Sequence, residues 1–281
     1  MKVLGQEILL AGIVGSTAYG LNGPGSDVDR LGIFAAPTSA FHGLHMPKET
    51  HVQLAPNPDV TIHEAAKWCR LAMGCNPTAI EIVWLPQEYI ELMNDWGVEL
   101  RDIRACFPTA KGVRNSYLGY ASQQLKRLKD RGDGSFSADT RKRTAKHARH
   151  LFRLCHQGLA FYETGKLPIR LEPEVILAVR AFGERVAVGD VAAAEQMIAG
   201  YEQKFDRAKS PLGDRPDEER IERWLRAVRH AYWKGESDVQ ELQRRDATLH
   251  AELLARGAGA RWDHPLQWDV PQGGTEGSGA A

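Results

Sequence analysis

The sequence predicts an α+β fold, with a small mixed-sheet head followed by a C-terminal helical domain. Short apolar segments separated by turn residues fill roughly the first hundred positions. From about residue 109 onward, apolar residues recur instead at the spacing of long amphipathic helices. The 281 residues are enough to bury a substantial core. We therefore expect a head over residues 1–108, a helical domain over 109–256 and, because the remainder is glycine-rich and aperiodic, a disordered tail over 257–281.

Three strands and two helices are predicted in the head. Residues 7–14 form an apolar run, and residues 27–35 begin with acidic residues and continue with apolar ones; each segment is predicted to be a strand. Residues 59–63 alternate between polar and apolar, as a half-buried strand does. A short helix is expected at 16–20, and an amphipathic helix at 64–73.

The helical domain is expected to contain five helices. Each candidate carries its apolar residues on one stripe, and turn residues separate the first two candidates. The predicted helices cover residues 110–129, 140–164, 172–182, 190–208 and 214–234.

The stretch from Gly15 to Asp29 carries the strongest functional signal. Gly15 and Ser16 directly follow the first apolar run, and ten residues separate Ser16 from Asp27. In a strand, Asp27 and Asp29 would point to the same face. Two neighbouring carboxylates repel each other unless a cation lies between them. Because glycine also lets the backbone approach a ligand closely, the pattern indicates metal-dependent chemistry on a nucleoside triphosphate.

This pattern resembles the nucleotidyltransferase superfamily typified by DNA polymerase beta. The superfamily motif is an apolar residue, Gly followed by Gly or Ser, a spacer of this length, and Asp-x-Asp or Asp-x-Glu. Residues 15–16 and 27–29 match it. Residues 15–34 resemble the bacterial and phage branch of predicted nucleotidyltransferases, some of which occur beside RNA-repair genes. Residues 76–84 and 146–154 extend this resemblance weakly.

The resemblance implies an enzyme that transfers a nucleoside monophosphate (NMP) from a nucleoside triphosphate (NTP), such as ATP, to an acceptor hydroxyl and releases pyrophosphate. It also implies two Mg²⁺ ions held by Asp27, Asp29 and a third carboxylate from a neighbouring strand. Asp59 is the favoured third carboxylate because it begins the alternating strand. Glu64, at the start of a helix, and Glu81, in an apolar stretch, remain alternatives.

Further residues are expected to contact phosphates. Ser16 and the backbone N–H groups beside Gly15 would hold the β- and γ-phosphates. Lys146, His150 and Arg153 are spaced i, i+4 and i+7, so one helix face would present all three. This cationic face would bind the triphosphate or the phosphates of the acceptor, although an ordinary solvated face has the same pattern.

Five more side chains near these motifs have open roles. Lys111, Lys142 and Arg143 are candidates for contacts with the acceptor. Tyr19 is expected to pack in the interior rather than to stack on a base. Arg30 is expected to pair with an aspartate or, less favourably, with a phosphate.

Charge is balanced over the whole chain but uneven along it. There are 36 basic and 36 acidic residues. Residues 1–60 hold three Lys or Arg and five Asp or Glu, whereas residues 111–153 hold twelve and three. The second segment would attract polyphosphate or nucleic acid, so an RNA end is the favoured acceptor. A protein side chain or a small molecule remains an alternative acceptor.

Cysteine and hydropathy patterns favour a cytoplasmic protein. The four cysteines form no CxxC pair and have no histidine at zinc spacing, so we expect reduced thiols. Neither a signal peptide nor an apolar segment long enough to span a bilayer is evident. The oligomeric state is left open.

Two other functions are compatible with the sequence. A catalytically silent nucleotide-binding protein, acting as a regulatory or toxin–antitoxin partner, would lack the third carboxylate, because Asp27 and Asp29 alone would bind one metal poorly. A pure RNA-binding module would use the basic helices and would keep its affinity for RNA after replacement of Asp27.

Overall fold

A mixed sheet forms the N-terminal part of the computed structural model, which describes residues 2–23, 25–53, 59–129 and 138–233. Its strands lie in the order β1-β2-β3-β5-β4, and β6 pairs with β2 on the same side as β1. Strands β3 and β5 are parallel, and the other pairs are antiparallel. The strands of these described residues are β1 (Lys2–Val3), β2 (Gln6–Val14), β3 (Asp29–Ala35), β4 (Thr50–Gln53), β5 (Asp59–Glu64) and β6 (Ile90–Met93).

The register of β3 brings the ends of three strands together. β2 pairs with β3 up to Val14 opposite Asp29, and β3 pairs with β5 from Asp29 opposite Asp59 onward. Asp29 and Asp59 are therefore direct neighbours at the point where β2 ends. Side chains in paired register leave the same face of a sheet, so both carboxylates point to the same side.

Strand β3 begins two residues later than predicted. β2 leaves the sheet after Val14, so residues before Asp29 have no partner in β2. Asp27 follows a turn in which the Ser26 N–H donates to the Gly23 carbonyl at 3.0 Å. The expectation that Asp27 and Asp29 share one strand face is therefore wrong, because Asp27 lies in the loop before the strand.

Helices make up most of the remaining described chain. They are α1 (Gly15–Tyr19), α2 (Ala65–Met73), α3 (Pro77–Ile80), α4 (Asp95–Asp102), α5 (Ala110–Lys129), α6 (Ala138–Thr164), α7 (Pro173–Ala187), α8 (Ala192–Arg207) and α9 (Glu218–Ala231). Short 3-10 turns lie at Thr38–His42, Glu81–Trp84, Gln87–Tyr89 and Arg104–Cys106. Together with the sheet, they confirm the predicted α+β class and the C-terminal helical region. No helix in these ranges has both the length and the apolar character needed to cross a membrane.

Hydrophobic periodicity predicted some helix bounds correctly, and capping and packing residues lie at two of the bounds that differ. α5 has its predicted bounds, whereas α9 starts later than expected because the Asp217 side chain accepts a hydrogen bond from the Arg220 N–H and caps it. α7 runs past its predicted end. It continues through Gly183, where a Cβ would overlap Arg149 of α6. The glycine thus lets α6 and α7 pack closely.

One hydrophobic core connects the helix-covered side of the sheet with the helices. It includes Leu10 of β2, Trp68 of α2, Tyr117 of α5, Leu151 of α6 and Trp224 of α9. A smaller cluster, centred on Phe34 and Ile62, covers the other side.

The chain up to Trp233 forms one compact unit, and its core runs across residue 109. The domain boundary expected at 108–109 stays a prediction. The part of the predicted helical domain after residue 233 and the tail predicted at 257–281 lie outside the described residues.

Candidate active site

A cavity of about 800 Å³, here called the first cavity, lies where the ends of β2, β3 and β5 face α6 and α7. The eight residues predicted to bind metal or phosphate all line it, although they come from four separate segments of the chain. They are Gly15, Ser16, Asp27, Asp29, Asp59, Lys146, His150 and Arg153.

Gly15 makes room for Asp29 at the end of β2. Its φ is +69°, in the left-handed region, and a Cβ at this position would overlap Asp29 Oδ2. The turn continues into α1, and the Leu21 N–H donates to the Ser16 carbonyl at 2.8 Å. We expected the backbone at Gly15 to approach a ligand closely. In the structure it lies close to the Asp29 carboxylate.

Three aspartates face the first cavity from two strands and a loop, in addition to Glu184 of α7. Burial raises the pKa of Asp29, the charge of Lys146 opposes this rise, and the charges of Asp59 and Asp27 add to it. Within the described residues, no three His, Cys, Asp or Glu side chains converge at metal-binding distance. The three aspartate side chains nevertheless supply oxygen donors of the kind that Mg²⁺ prefers, and the charges of Asp59 and Asp27 act on Asp29 in the direction that a cation would offset.

Glu64, the first alternative third carboxylate, has a structural role. It lies five residues after Asp59 on β5, so its side chain leaves the opposite face of the sheet. The side chain is 1% exposed, accepts a hydrogen bond from the Ala66 N–H at 2.9 Å and pairs with Arg229 of α9 at 2.6 Å. It therefore caps α2 and ties α9 to the sheet.

Glu81, the second alternative, lies beneath the site rather than in the cavity lining. It is 4% exposed, and the Tyr19 hydroxyl donates to Glu81 Oε2 at 2.5 Å. Burial raises the pKa of Glu81 to about 7, while the charge of Arg153 and the Tyr19 hydrogen bond pull it down. Tyr19 itself is buried, as expected for a packing residue.

The pKa of Glu81 leads to a stability prediction. An acid whose pKa rises on folding contributes stability below its unfolded value, near 4.5, and loses it as the pH rises through the folded value, about 7. We expect Glu81→Gln to remove this loss. The free energy of unfolding of the variant, minus that of the wild type, should increase by up to about 3 kcal/mol between pH 5 and pH 8.

Denaturant unfolding at several pH values measures this difference. Glu222→Gln, on the exposed face of α9, is the control and should follow the wild-type profile. Parallel profiles for wild type and Glu81→Gln would contradict the prediction, since they would mean that Glu81 does not titrate in this range.

Arg153 connects α6 to α1. Only 2% of the residue is exposed, and its guanidinium lies over the Tyr19 ring at 4.0 Å from the centroid. Its Nη1 donates to Gln157 Oε1 at 2.6 Å, and its Nη2 lies 3.1 Å from His150 Nδ1. The predicted phosphate-binding arginine is therefore also a packing residue that holds the helix after Gly15.

His150 adds no charge to the cationic face predicted for Lys146, His150 and Arg153. Burial lowers the pKa of His150 to about 3, and nearby cations, Arg153 first among them, lower it further. The His150 imidazole is therefore neutral. Lys146 is exposed and close enough to Asp29 to affect its pKa.

Sequence reasoning missed three charged residues of the first cavity. Arg149 belongs to α6, and Arg180 and Glu184 come from α7, where they are spaced i, i+4. Arg180 Nη2 donates to the Asn22 carbonyl at 3.2 Å, so α7 closes one side of the cavity. The spacing on α7 was visible in the sequence, but nothing local indicated that this helix faces the motif.

Of the proposed acceptor contacts, Lys142 lines the first cavity and Lys111 does not. Residues 130–137 of the basic segment lie outside the described part of the chain.

The expectation that Arg30 pairs with an aspartate is wrong. Its Nε and Nη2 donate to Glu91 at 2.7 and 2.9 Å, because Arg30 leaves the opposite sheet face from Asp29.

Comparison with known proteins identifies the family. The model of RlaP, the RNA repair pathway DNA polymerase beta family, matches residues 2–186. The chain belongs to this family. The match confirms the resemblance inferred from residues 15–34, and it includes every residue that lines the first cavity.

The chain was also compared with curated protein sequences and with solved structures. No curated protein sequence matches the chain. A crystal structure of a nucleotidyltransferase-like protein from Exiguobacterium sibiricum 255-15 is similar at 15% identity and a TM-score of 0.29, over 90% of this chain and 87% of that chain.

Proposed function

We propose that this family member transfers an NMP from an NTP to an acceptor hydroxyl in a Mg²⁺-dependent reaction, with an RNA end as the favoured acceptor. The observation that carries the proposal is the pairing of Asp29 with Asp59 in the cavity that also contains Asp27 and the Gly15–Ser16 turn. Carboxylates on one side and a cationic helix face on the other suit a metal-bound triphosphate.

Asp27, Asp29 and Asp59 are the proposed metal ligands. Their carboxylate oxygens suit Mg²⁺, and the charges of Asp59 and Asp27, which a metal would offset, add to the rise that burial causes in the pKa of Asp29. When bound, two ions would stabilise the attacking and leaving oxygens. The positions of Glu64 and Glu81 away from the cavity lining support Asp59 as the third ligand.

The chain's own groups would bind the substrates and move a proton. Ser16 and the backbone N–H groups beside Gly15 would hold the β- and γ-phosphates, and Lys146 would neutralise part of their charge. The acceptor oxygen forms a bond to the α-phosphorus while the bond from that phosphorus to the pyrophosphate oxygen breaks. Asp59 is the proposed acceptor of the hydroxyl proton.

The family assignment and the basic residues of α6 favour an RNA end as the acceptor. The cytoplasm remains the expected compartment, since all four cysteines are unpaired thiols.

Transfer of label tests the proposal. The purified chain is incubated with Mg²⁺ and each α-labelled NTP, alone and with total cellular RNA, and pyrophosphate is followed in parallel. We expect label in RNA with the wild type and none with Asp27→Ala/Asp29→Ala. The control Asp206→Ala removes an exposed carboxylate of α8 and should stay active.

The other outcomes assign other functions. Label in protein would make a polypeptide the acceptor. Binding of NTP without pyrophosphate release under any condition would indicate a silent regulatory protein. RNA binding without NTP binding, unchanged in the double variant, would indicate an RNA-binding module.

A further inference from the structure

A second cavity, of about 500 Å³, lies between α5 and α6, next to the first cavity. The two cavities share Lys146, His150 and Arg153, which thus form a common wall. Arg127 of α5 and Arg143 of α6 add two further cations on the far side of this wall.

The lining of the second cavity is positively charged. No Asp or Glu occurs among the described residues that line it. Two other basic side chains of α5 are neutralised, since Arg114 pairs with Asp206 at 2.7 Å and Lys129 with Glu195 at 2.6 Å. No carboxylate of the described chain pairs with Arg127. The second cavity is therefore positively charged because its basic side chains lack neighbouring carboxylates, and not only because this segment is rich in Lys and Arg.

Two buried polar side chains form fixed parts of this lining. Gln124 is 8% exposed and Arg153 is 2% exposed. The Gln124 Oε1 lies 2.8 Å from His147 Nδ1. Arg153 Nε is buried and has no hydrogen-bond partner among the described residues. Because Arg153 lines both cavities, its charge acts on an anion in either one.

The lowered pKa of His150, which lies in the wall shared by the two cavities, agrees with this charge distribution. The cations Arg153, Lys146 and Arg127 act in the same direction as burial when they lower the pKa of His150. The imidazole therefore lies in a positive potential that comes from both cavities. A ligand that relieves this potential must carry negative charge.

We propose that the second cavity binds a phosphate of the acceptor polynucleotide while the NTP occupies the first cavity. This inference rests on the proposed function. None of Asp27, Asp29 and Asp59 lines the second cavity, so a phosphate there would be held by cations and not through a metal. An acceptor bound in this way carries a phosphate near its attacking hydroxyl, which favours a nucleic-acid end over a neutral small molecule or an unmodified protein side chain.

Binding of RNA without catalysis tests the inference. A fluorescein-labelled single-stranded RNA oligonucleotide is titrated with protein in EDTA and without NTP, and anisotropy is followed at several salt concentrations. We expect Arg127→Gln to weaken RNA binding about tenfold and to lower the slope of log affinity against log salt by about one. Affinity for NTP, measured separately with Mg²⁺, should change less than about twofold.

Two further variants sharpen this test. Gln123→Glu places a carboxylate in the cavity lining without removing a cation and should also weaken RNA binding. Arg114→Gln removes the same charge from the same helix, outside both cavities, and should bind RNA like the wild type. Gln123 and Arg127 are both exposed, so neither change disturbs the core.

Unchanged RNA affinity and salt slope in Arg127→Gln and Gln123→Glu would overturn the inference. Loss of NTP affinity in these variants would also overturn it, because the cavity would then belong to the triphosphate. RNA binding that depends on Arg127, combined with no transfer of label by the wild type, would instead contradict the proposed function and leave the phosphate site standing.

Discussion

Replacing Asp29 with asparagine is expected to reduce NMP transfer about a thousandfold and to raise the thermal stability of the metal-free protein. The loss of rate follows from removing a proposed metal ligand, whose contribution of several kcal/mol corresponds to about three orders of magnitude. The measurements are the labelled-NTP assay with Mg²⁺ and the melting temperature at pH 7 in EDTA.

The gain in stability follows from the raised pKa of Asp29. Such an acid contributes stability below its unfolded pKa, near 3.8, and loses it as the pH rises through the higher folded value. Ionisation of Asp29 therefore costs stability, and asparagine removes the burial cost and the repulsion with Asp59 and Asp27, which together outweigh the lost attraction to Lys146.

Added Mg²⁺ separates the two effects. It should raise the melting temperature of the wild type more than that of Asp29→Asn, since binding to the folded state adds stability. Asp206→Asn, which changes an exposed carboxylate, should match the wild type in both assays. An active variant, or a variant less stable than wild type in EDTA, would contradict this view of Asp29.

Replacing Gly15 with alanine is expected to reduce kcat about a hundredfold. The added Cβ would overlap Asp29 Oδ2 and push this carboxylate out of position, and a displacement of about 1 Å can cost that much in rate. The left-handed φ of +69° adds a stability cost of about 1–2 kcal/mol.

Gly5→Ala separates these two contributions. Gly5 has a φ of +79°, and a Cβ added there would have no atoms within 4 Å, so alanine at this position meets the backbone cost alone. It should lower the melting temperature about as much as Gly15→Ala and leave kcat unchanged. Equal kinetic losses in both variants would show that the effect at Gly15 is general destabilisation and not displacement of Asp29.

Local patterns predicted the elements well where one pattern dominates. α5 begins and ends where its apolar stripe does, and β5 is found where polar and apolar residues alternate. The start of β3 was missed because a strand needs a partner, and β2 leaves the sheet after Val14. Periodicity within one segment carries no information about where its neighbour ends.

The choice between the three candidate carboxylates shows the same limit. Asp59, Glu64 and Glu81 are chemically equivalent in the sequence. The parallel register of β3 and β5 places Asp59 beside Asp29, whereas Glu64 leaves the opposite face and Glu81 is buried beneath Tyr19. The sequence favoured Asp59 because it begins an alternating strand, but register and burial depend on contacts between distant segments, so no local pattern could test that preference.

The amino-acid sequence by itself indicated the family, three of the six described strands (β2, β3 and β5) and the order of helices α1, α2 and α5 to α9, because motif spacing and hydrophobic period are local properties. Only the tertiary structure decided that Asp27 enters from a loop, that His150 is neutral, and that Arg180 closes the cavity. Solvent exposure, pairing partners and electrostatic fields arise when residues far apart in the chain pack together.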